Sequence, residues 1–437
     1  MLPFCFLLFL VASASANMMK TFLQQSRMAV ASHRPVVLCV GNEAADADSI
    51  VSSLCYGFLK HALRGEGATG ISFVPVVSIP RNILKLRPET EILLKMVSLE
   101  LDDLICVEDM DVSALNEKGQ IEGLILTDHN VLSNKICGIF GTTSSQHESL
   151  VKEIVDHHID SGAYAHVQGA NRNIAFDKSS GRATAGSACT LVAEKLMDSR
   201  NSLDAEMKRS LSTLLCGVIL IDTQNMASTG TGTERDATML NMLLSSPDLL
   251  NDSWDRDAVF TQLRGAKMST AFWTSLSAFQ CLVIDYKEFP CTNLTPNPNG
   301  AQGSFGMSTI ACRLGEFCGK EHCYEDMVAY LSSPSSGGEI DEAVPLDLLV
   351  VMASFVDGEN CYKRELLVAS LHEERLTSVH AYLTTAEPQL DLVPLLLQGQ
   401  RPAGLPAGLH VKAYSQGNVR ASRKQVAPLL SAYYSSL

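Results

Sequence analysis

Five apolar runs in the first half of the chain have the length and composition of buried β-strands. They lie at 35–40, 71–77, 123–127, 151–155 and 216–221. Such continuous runs are typical of strands covered on both faces, as in a parallel sheet with helical connections. Helices are predicted between them at 47–62, 88–101, 187–198 and 203–214. The alternation predicts an α/β domain with a doubly wound, mainly parallel sheet.

The pattern weakens in the second half of the chain. Residues 243–257 indicate a linker between a first domain, 17–242, and a smaller α/β domain, 258–437. Strands in this second domain are predicted at 281–286, 346–354 and 364–370. Two loops rich in proline, glycine and serine interrupt it.

The first 16 residues, MLPFCFLLFLVASASA, carry no charge and end in an A-x-A pattern. They resemble a secretory signal peptide without its basic region, and they are shorter than the roughly 20 residues of a membrane-spanning helix. The alternative is a gene-model extension, with the true start at Met18, Met19 or Met28. We expect a cytoplasmic protein, or one of the secretory pathway if the leader is genuine, and no stable membrane insertion.

The chain is acidic, with 34 basic and 48 acidic side chains and a net charge of −14. Nucleic-acid binding depends on neutralising phosphates with Lys and Arg, so no nucleic-acid partner is expected. A phosphate substrate is compatible with this charge if metal ions and a few local cations reverse it at the site.

The 13 cysteines do not indicate a disulfide framework. Cys312, Cys318 and Cys323 are clustered but lack the C-x-x-C pairing of a zinc site. Their disulfide state stays open at this point.

Polar residues with metal-ligand chemistry follow four of the five apolar runs. They are Asn42, Asp46 and Asp48; Asp128, His129 and Asn130; Asp156, His157 and His158; and Asp222. In open parallel sheets the carboxyl ends of the strands form the ligand-binding edge. Carboxylates mixed with imidazoles suit Mg²⁺ or Mn²⁺, with Co²⁺ possible in vitro.

So many carboxylates at one edge would repel one another unless cations lay between them. Two divalent ions bridged by a shared aspartate would satisfy this, and Asp128, which stands alone on its turn, is the candidate bridge. The alternative is that the polar residues cap helices, with Asp48 or Ser49 capping the helix that follows. His157 and His158 can reach one site only where the chain leaves regular structure.

The segment TAGSACTLVAEKL at 184–196 runs from small residues directly into a helix. Backbone N–H groups at the start of a helix can hold phosphate. Ser187 is therefore either a substrate contact or an N-cap.

Five motifs, GNEAADADS, DHN, DHH, GSACTLV and IDTQNM, occur in this order between residues 41 and 226. They resemble the DHH superfamily of phosphoesterases, and within it the eukaryotic exopolyphosphatase and prune branch, which is related to family II inorganic pyrophosphatases. DYKEF at 285–289 and SRKQVAPLL at 422–430 are similar to the DHH-associated C-terminal domain.

The resemblance implies a two-metal centre in a cleft between the two domains. Asp46 and Asp128 would hold one metal, and Asp48, Asp128, His157 and Asp222 would hold the other. Catalysis would rest on Asp128, His157 and His158, with His158 contacting the phosphate or leaving group. Asn42, His129 and Asp156 would be weak or orienting contacts of the metals. Ser187, Lys287, Arg423 and Lys424 would bind phosphate groups.

At two positions this chain differs from particular branches of the superfamily, and these differences indicate which branch it resembles most. Family II pyrophosphatases carry a histidine at the position of Asn42, and an amide is the weaker metal ligand. Animal prune proteins tend to carry an arginine at the position of His158. The intact DHH motif therefore favours an exopolyphosphatase.

We accordingly expect a metal-dependent exopolyphosphatase that releases orthophosphate from the end of linear polyphosphate, as a monomer or weak homodimer. One alternative is a prune-like enzyme for short polyphosphates or nucleotide phosphodiesters, or an inorganic pyrophosphatase. The alternative of another class is a non-catalytic signalling or binding module.

Overall fold

The computed structural model describes residues 17–64, 70–133, 136–137, 147–228, 230–251, 253–294, 303–333, 345–359, 361–397 and 405–437. The predicted leader at 1–16 lies outside these residues. Contacts divide the chain into two compact units, between Lys267 and Met268. The linker proposed at 243–257 and the cleft between domains stay predictions.

The first unit is built on a parallel five-stranded sheet, as the alternating pattern predicted. Its strands are β1 (Val36–Val40), β2 (Ser72–Val76), β3 (Ile121–Thr127), β4 (Val151–Asp156) and β5 (Arg172–Ile174). Their order in the sheet is β2-β1-β3-β4-β5, and every neighbouring pair is parallel. Val36, Leu38, Leu124, Leu126 and Ile154 belong to one buried cluster. Two short strands, β6 (Phe176–Asp177) and β7 (Arg182–Ala183), pair as a separate hairpin.

The fifth predicted strand is wrong, because residues 216–221 lie in a helix, Ala205–Asp222, whose N-cap is Asp204. A continuous apolar run does not distinguish a buried strand from a buried helix. Leu211, Leu215 and Val218 are fully buried at helical spacing, which continues the helix predicted at 203–214. The short and polar β5 takes the edge position instead, and it carries no apolar run.

Nine α-helices of the first unit are described. They are α1 (Asn17–Ala31), α2 (Ala47–Leu63), α3 (Arg81–Leu84), α4 (Pro88–Met96), α5 (Val112–Glu117), α6 (Ala188–Ser199), α7 (Ala205–Asp222), α8 (Glu234–Ser245) and α9 (Arg256–Lys267). Helices α2, α4, α6 and α7 correspond to the four predicted helices. Helix α1 was not predicted, and it packs on strand β2.

The second unit contains a mixed six-stranded sheet. Its strands are β8 (Tyr286–Pro290), β9 (Ser304–Ile310), β10 (Leu346–Val356), β11 (Tyr362–Ser370), β12 (Leu392–Pro394) and β13 (His410–Gln416). The order is β12-β13-β11-β10-β9-β8, with β9 and β10 parallel and the other pairs antiparallel. The described helices are α10 (Thr270–Ser275), α11 (Ala278–Ile284), α12 (Leu314–Cys318), α13 (Cys323–Ser332), α14 (Glu373–Leu383) and α15 (Arg423–Ser435).

The strands predicted at 346–354 and 364–370 are confirmed, and the one at 281–286 is wrong for most of its length. Ser277 and Gln280 form a capping box that starts helix α11, and strand β8 begins only at Tyr286. Among the described residues, no helix has both the length and the apolar character needed to cross a membrane.

Gly41 allows the end of strand β1 to approach the first turn of helix α2. A Cβ at this position would lie 2.7 Å from the carbonyl oxygen of Ser49. We expect Gly41→Ala to lower the stability by about 1–3 kcal/mol, because backbone atoms must move apart. Thermal unfolding followed by circular dichroism measures this.

The matched control is Gly265→Ala in helix α9, where a Cβ would meet nothing within 4 Å. Alanine favours a helix over glycine by roughly 0.5–1 kcal/mol, so this variant should unfold at a higher temperature. A Gly41→Ala protein as stable as the wild type would show that the close approach is not needed.

Candidate metal centre

Three neighbouring strands deliver polar side chains to one edge of the first sheet. Residues 42–48 follow β1, Asp128 follows β3, and Asp156 ends β4 and is followed by the two histidines. Because β1, β3 and β4 are consecutive in the sheet, these turns lie side by side. The structure thus brings together three of the four predicted clusters through strand ends, and Asp222 arrives from the end of helix α7.

Asp128 is buried and has a left-handed backbone, with φ of 62°. This conformation costs a residue with a side chain roughly 1–2 kcal/mol. Asn42 Nδ2 and Ser49 Oγ each donate to its Oδ2 at 2.7 Å. The backbone conformation and these two donors fix the carboxylate, as expected of a residue with a precise geometric role.

Of the two roles that the resemblance implied for Asn42, a weak metal contact or an orienting one, its hydrogen bonds correspond to the second. Its amide nitrogen donates to Asp128, and its Oδ1 accepts from the N–H of Ala44 at 2.9 Å. Asn42 therefore orients Asp128. His129 is directed back toward its own strand, since its Nδ1 lies 2.9 Å from the carbonyl oxygen of Thr127.

Asp48 belongs to the first turn of helix α2, and its carboxylate lies at the N-terminus of helix α6. It accepts from Ser187 Oγ at 2.8 Å, the N–H of Ala188 at 2.7 Å and the N–H of Cys189 at 2.9 Å. Burial, with the nearby Asp128 carboxylate, raises the pKa of Asp48 to about 6. Ser187 is the N-cap of the helix, and these groups hold Asp48 in the positive field of the helix start.

That arrangement differs from the phosphate site predicted at the start of helix α6. The N–H groups of Ala188 and Cys189 already donate hydrogen bonds to the carboxylate of Asp48. Ser187 as a substrate contact stays a prediction, and its observed contact is with Asp48.

His157 is buried between two of these carboxylates. Its Nε2 lies 3.3 Å from Asp128 Oδ1 and 3.6 Å from Asp48 Oδ2. Its Nδ1 lies 3.1 Å from the carbonyl oxygen of Ala185, which can only accept, so the proton is on Nδ1. In the neutral ring this places the lone pair on Nε2, which is the tautomer of a metal-binding histidine.

His158 is paired with the buried carboxylate of Asp156. Its Nδ1 lies 2.9 Å from Asp156 Oδ1 and 3.6 Å from Asp128 Oδ1. Burial alone would raise the pKa of Asp156, but the charge and hydrogen bond of His158 lower it below its ordinary value. Asn130 donates to the other oxygen of Asp156 and accepts from the N–H of Ser161. Asn130 thus fixes Asp156, which in turn orients His158.

Asp46 is the N-cap of helix α2, where its Oδ1 accepts from the N–H of Ser49 at 3.1 Å. The capping alternative is therefore right for Asp46, and not for Asp48 or Ser49. A capping carboxylate retains a second oxygen, so capping is compatible with a metal contact.

Asp222 is the last residue of helix α7, where the negative end of the helix dipole disfavours a carboxylate. Its Oδ2 is buried without a hydrogen-bond partner among the described residues. Burial, followed by the charges of Asp48 and Asp46, raises the pKa of Asp222 well above its ordinary value. A positive ligand at this position would remove all three penalties.

Arg87 shapes the loop between β1 and helix α2, a role that no motif or spacing around Arg87 indicates. This buried side chain donates to the carbonyl oxygens of Ala44 at 2.7 Å and Ala45 at 3.0 Å. Ala45 has a left-handed backbone, with φ of 44°. Arg87 therefore helps to hold the turn that presents Asp46 and Asp48.

The donor set fits divalent cations. Ligand atoms of Asp128, His157 and His158 lie within 4.8 Å of one another, and Asp48 is 3.6 Å from His157. Oxygen and imidazole ligands of this kind suit Mg²⁺, Mn²⁺ or Zn²⁺. The Oδ2 of Asp222, which has no hydrogen-bond partner in the described part of the chain, supports the same conclusion, because a buried carboxylate oxygen needs a donor or a cation.

The three cationic residues implied for the second unit lie near one another within that unit. Lys287 is on strand β8, and Arg423 and Lys424 begin helix α15. Arg423 donates to the carbonyl oxygen of Asp285 at 2.9 Å and pairs with its carboxylate at 2.7 Å. This ion pair connects the start of helix α15 to the residue that precedes strand β8.

Comparison with known proteins gives consistent matches along the chain. A model described as the DHH family, N-terminal domain, matches residues 36–219, and a model of the DHHA2 domain matches residues 262–433. Exopolyphosphatase PRUNE1 from Bos taurus is 30% identical over 426 residues, which cover 96% of this chain and 81% of that protein.

Two further relatives extend this likeness. Exopolyphosphatase PRUNE1 from Rattus norvegicus is 29% identical over 425 residues, covering 96% of this chain and 81% of that protein. A putative exopolyphosphatase from Schizosaccharomyces pombe is 28% identical over 398 residues, which cover 89% of this chain and 88% of that protein.

Neutralising Asp222 should have opposite effects with and without metal. In EDTA we expect Asp222→Asn to unfold a few degrees higher than the wild type, by on the order of 1 kcal/mol, because one repelling buried charge is removed. Added Mn²⁺ should then stabilise the variant less than the wild type, whose gain is about 2.7 kcal/mol at 100 times the dissociation constant. Differential scanning fluorimetry measures both shifts.

The control is Asp198→Asn, which removes an exposed carboxylate of helix α6. It should leave both transitions within about 0.5 kcal/mol of the wild type. If Mn²⁺ stabilises Asp222→Asn and the wild type equally, Asp222 is not a metal ligand.

Proposed function

The chain belongs to the DHH family, with a DHHA2 domain after the DHH domain, and we propose that this phosphoesterase is a metal-dependent exopolyphosphatase. The proposed reaction releases orthophosphate from the end of linear inorganic polyphosphate. The observation that carries the proposal is the position of His157 Nε2 between two carboxylates, 3.3 Å from Asp128 Oδ1 and 3.6 Å from Asp48 Oδ2. The names of the relatives support the choice of substrate.

The proposed metal ligands are the side chains at the sheet edge. We assign Asp46, Asp48, Asp128, His157 and Asp222 to this role, with Asp128 shared between two ions. Two divalent ions, Mg²⁺ or Mn²⁺, would acidify a water molecule for attack and neutralise phosphate oxygens when bound there.

The residues around these ligands restrict how the ligands can move. Asn42 and Ser49 occupy one oxygen of Asp128, which leaves its Oδ1 directed toward His157. Ser187 and the start of helix α6 hold Asp48 in the same way. Such partners of metal ligands commonly contribute 10–100-fold to metal affinity or activity.

His158 is suited to act on the phosphate groups. Asp156 accepts from its Nδ1 and stabilises the protonated ring, as the aspartate of a catalytic triad does for its histidine. His158 is also more accessible than His157, with 31% of its side chain exposed against 6%. We infer that His158 stabilises the departing phosphate chain and supplies its proton.

The cations of the second unit provide the contacts with phosphate. Arg423 is suited to bidentate binding of a phosphate, and Lys287 and Lys424 act as point charges. Asp285 keeps the guanidinium of Arg423 in place until an anionic ligand competes for it. We propose that these three residues bind phosphate groups of the substrate.

A second candidate is suggested by two apolar side chains beside the site. Val131 and Ile159 are 48% and 58% exposed, and they follow Asn130 and His158 directly in sequence. Their turns are joined by the hydrogen bond from Asn130 Nδ2 to the carbonyl oxygen of Ile159. Apolar groups here favour a substrate with an organic part, such as a nucleotide phosphodiester.

Asp128→Asn tests the proposed catalytic centre. We expect polyphosphate hydrolysis to fall by at least about a hundredfold, because the shared carboxylate loses its charge. The assay is orthophosphate release in Mg²⁺, with Asp198→Asn as the matched control. Hydrolysis near the wild-type rate would show that the two-metal arrangement is wrong.

A substrate panel separates the two candidates. For the exopolyphosphatase we expect long-chain polyphosphate to be hydrolysed with a higher kcat/KM than tripolyphosphate, pyrophosphate or cyclic nucleotides, in each metal tested. For the second candidate, Val131→Ser with Ile159→Ser should reduce nucleotide hydrolysis about tenfold and leave polyphosphate hydrolysis unchanged. No loss of nucleotide hydrolysis would exclude an apolar contact with the base.

A further inference from the structure

Asp222 is held in a different way from the buried carboxylates of Asp48 and Asp128. Asp48 accepts three hydrogen bonds and Asp128 Oδ2 accepts two. The Oδ2 of Asp222 has no partner among the described residues. The position of this carboxylate therefore depends on how firmly its backbone is held.

The backbone that follows Asp222 has an unusual conformation. Gln224, Asn225 and Met226 are consecutive residues with φ of 52°, 55° and 63°. Residues with side chains enter this left-handed region mostly one at a time, and three in a row need external support. The turn closes on the helix, since the N–H of Asn225 donates to the carbonyl oxygen of Leu220 at 2.7 Å.

Arg256 supplies that support from helix α9. Its Nε donates to Asn225 Oδ1 at 2.6 Å, and its Nη2 donates to the carbonyl oxygen of Asn225 at 3.1 Å. The next residue, Asp257, accepts from Asn225 Nδ2 at 2.8 Å. The first two residues of helix α9 thus bind Asn225 by its side chain and by its backbone.

We propose that Arg256 is a positioning residue for the metal centre. By holding Asn225 it maintains the left-handed turn, and the turn fixes the end of helix α7 from which Asp222 projects. Thr231 adds a contact on the other side, since its Oγ1 donates to the carbonyl oxygen of Asp222 at 2.8 Å. This inference rests on the proposed function only in taking Asp222 as a metal ligand.

The experiment measures Mn²⁺ binding to the full chain without substrate, by isothermal titration calorimetry. We expect Arg256→Gln to bind Mn²⁺ about tenfold more weakly than the wild type, in the range typical of partners of metal ligands. Arg256→Lys, which keeps a donor and the charge, should recover part of this loss. Arg264→Gln, an exposed arginine of the same helix, should bind Mn²⁺ like the wild type.

A double variant tests whether the turn transmits the effect. Glycine enters the left-handed region without steric cost, so Gln224→Gly should favour the turn when Arg256 is absent. We expect Arg256→Gln with Gln224→Gly to regain several-fold in Mn²⁺ affinity over Arg256→Gln alone. Circular dichroism checks that each variant is folded at the temperature of the titration, so that the affinities compare folded proteins.

The inference is overturned if Arg256→Gln binds Mn²⁺ with wild-type affinity, or if Arg264→Gln loses as much. If Arg256→Gln does not fold, Asn225→Ala replaces it, and a loss smaller than threefold would contradict the proposal. Polyphosphate hydrolysis is assayed separately on the wild type. A wild type that binds Mn²⁺ without hydrolysing polyphosphate would reject the proposed function and leave the Arg256 comparison valid.

Discussion

Repulsion among buried carboxylates is the constraint on which the first unit depends. Asp48 and Asp128 are buried, and Asp222 has a buried oxygen. The charge of Asp128 raises the pKa of Asp48, and the charges of Asp48 and Asp46 raise the pKa of Asp222. Burying an ionised carboxylate is costly unless it is paired or binds a metal. The start of helix α6 holds Asp48, and Asn42 with Ser49 holds Asp128, whereas Asp222 lies at the helix end that disfavours a carboxylate.

The surrounding residues hold the carboxylates of Asp48 and Asp128 by different hydrogen-bond donors. Helix α6 directs N–H groups at Asp48, and Asn42 with Ser49 fixes Asp128. Left-handed backbones occur at Ala45, at Asp128 and in the turn after Asp222. Strained conformations of this kind persist only where the structure around them over-determines them, and they cluster at functional sites. The two arginines outside the motifs, Arg87 and Arg256, bind two of these turns directly.

The family assignment and the geometry support each other at different levels. Matches to the DHH and DHHA2 models cover the two parts of the chain, and they account for the order of the motifs. The geometry gives the motif residues separate tasks, with His157 between two carboxylates and His158 on Asp156. The mammalian relatives carry both names, exopolyphosphatase and PRUNE1. These names therefore do not support the use of His158 to distinguish an exopolyphosphatase from a prune protein.

The sequence alone determined the parallel sheet of the first unit and the polar turns at its carboxyl edge. Both follow from local properties, namely continuous apolar runs and the residues directly after them. It failed at 216–221, because a buried helix and a buried strand show the same apolar run over six residues. Only the tertiary structure decided which groups hold the ligands. Arg256 binds a turn 31 residues away in the chain and Arg87 binds one 42 to 43 residues away, and Ser187 reaches Asp48 across 139 residues. Contacts at such separations leave no periodic pattern in a sequence, because they arise only when the packed elements bring the partners together.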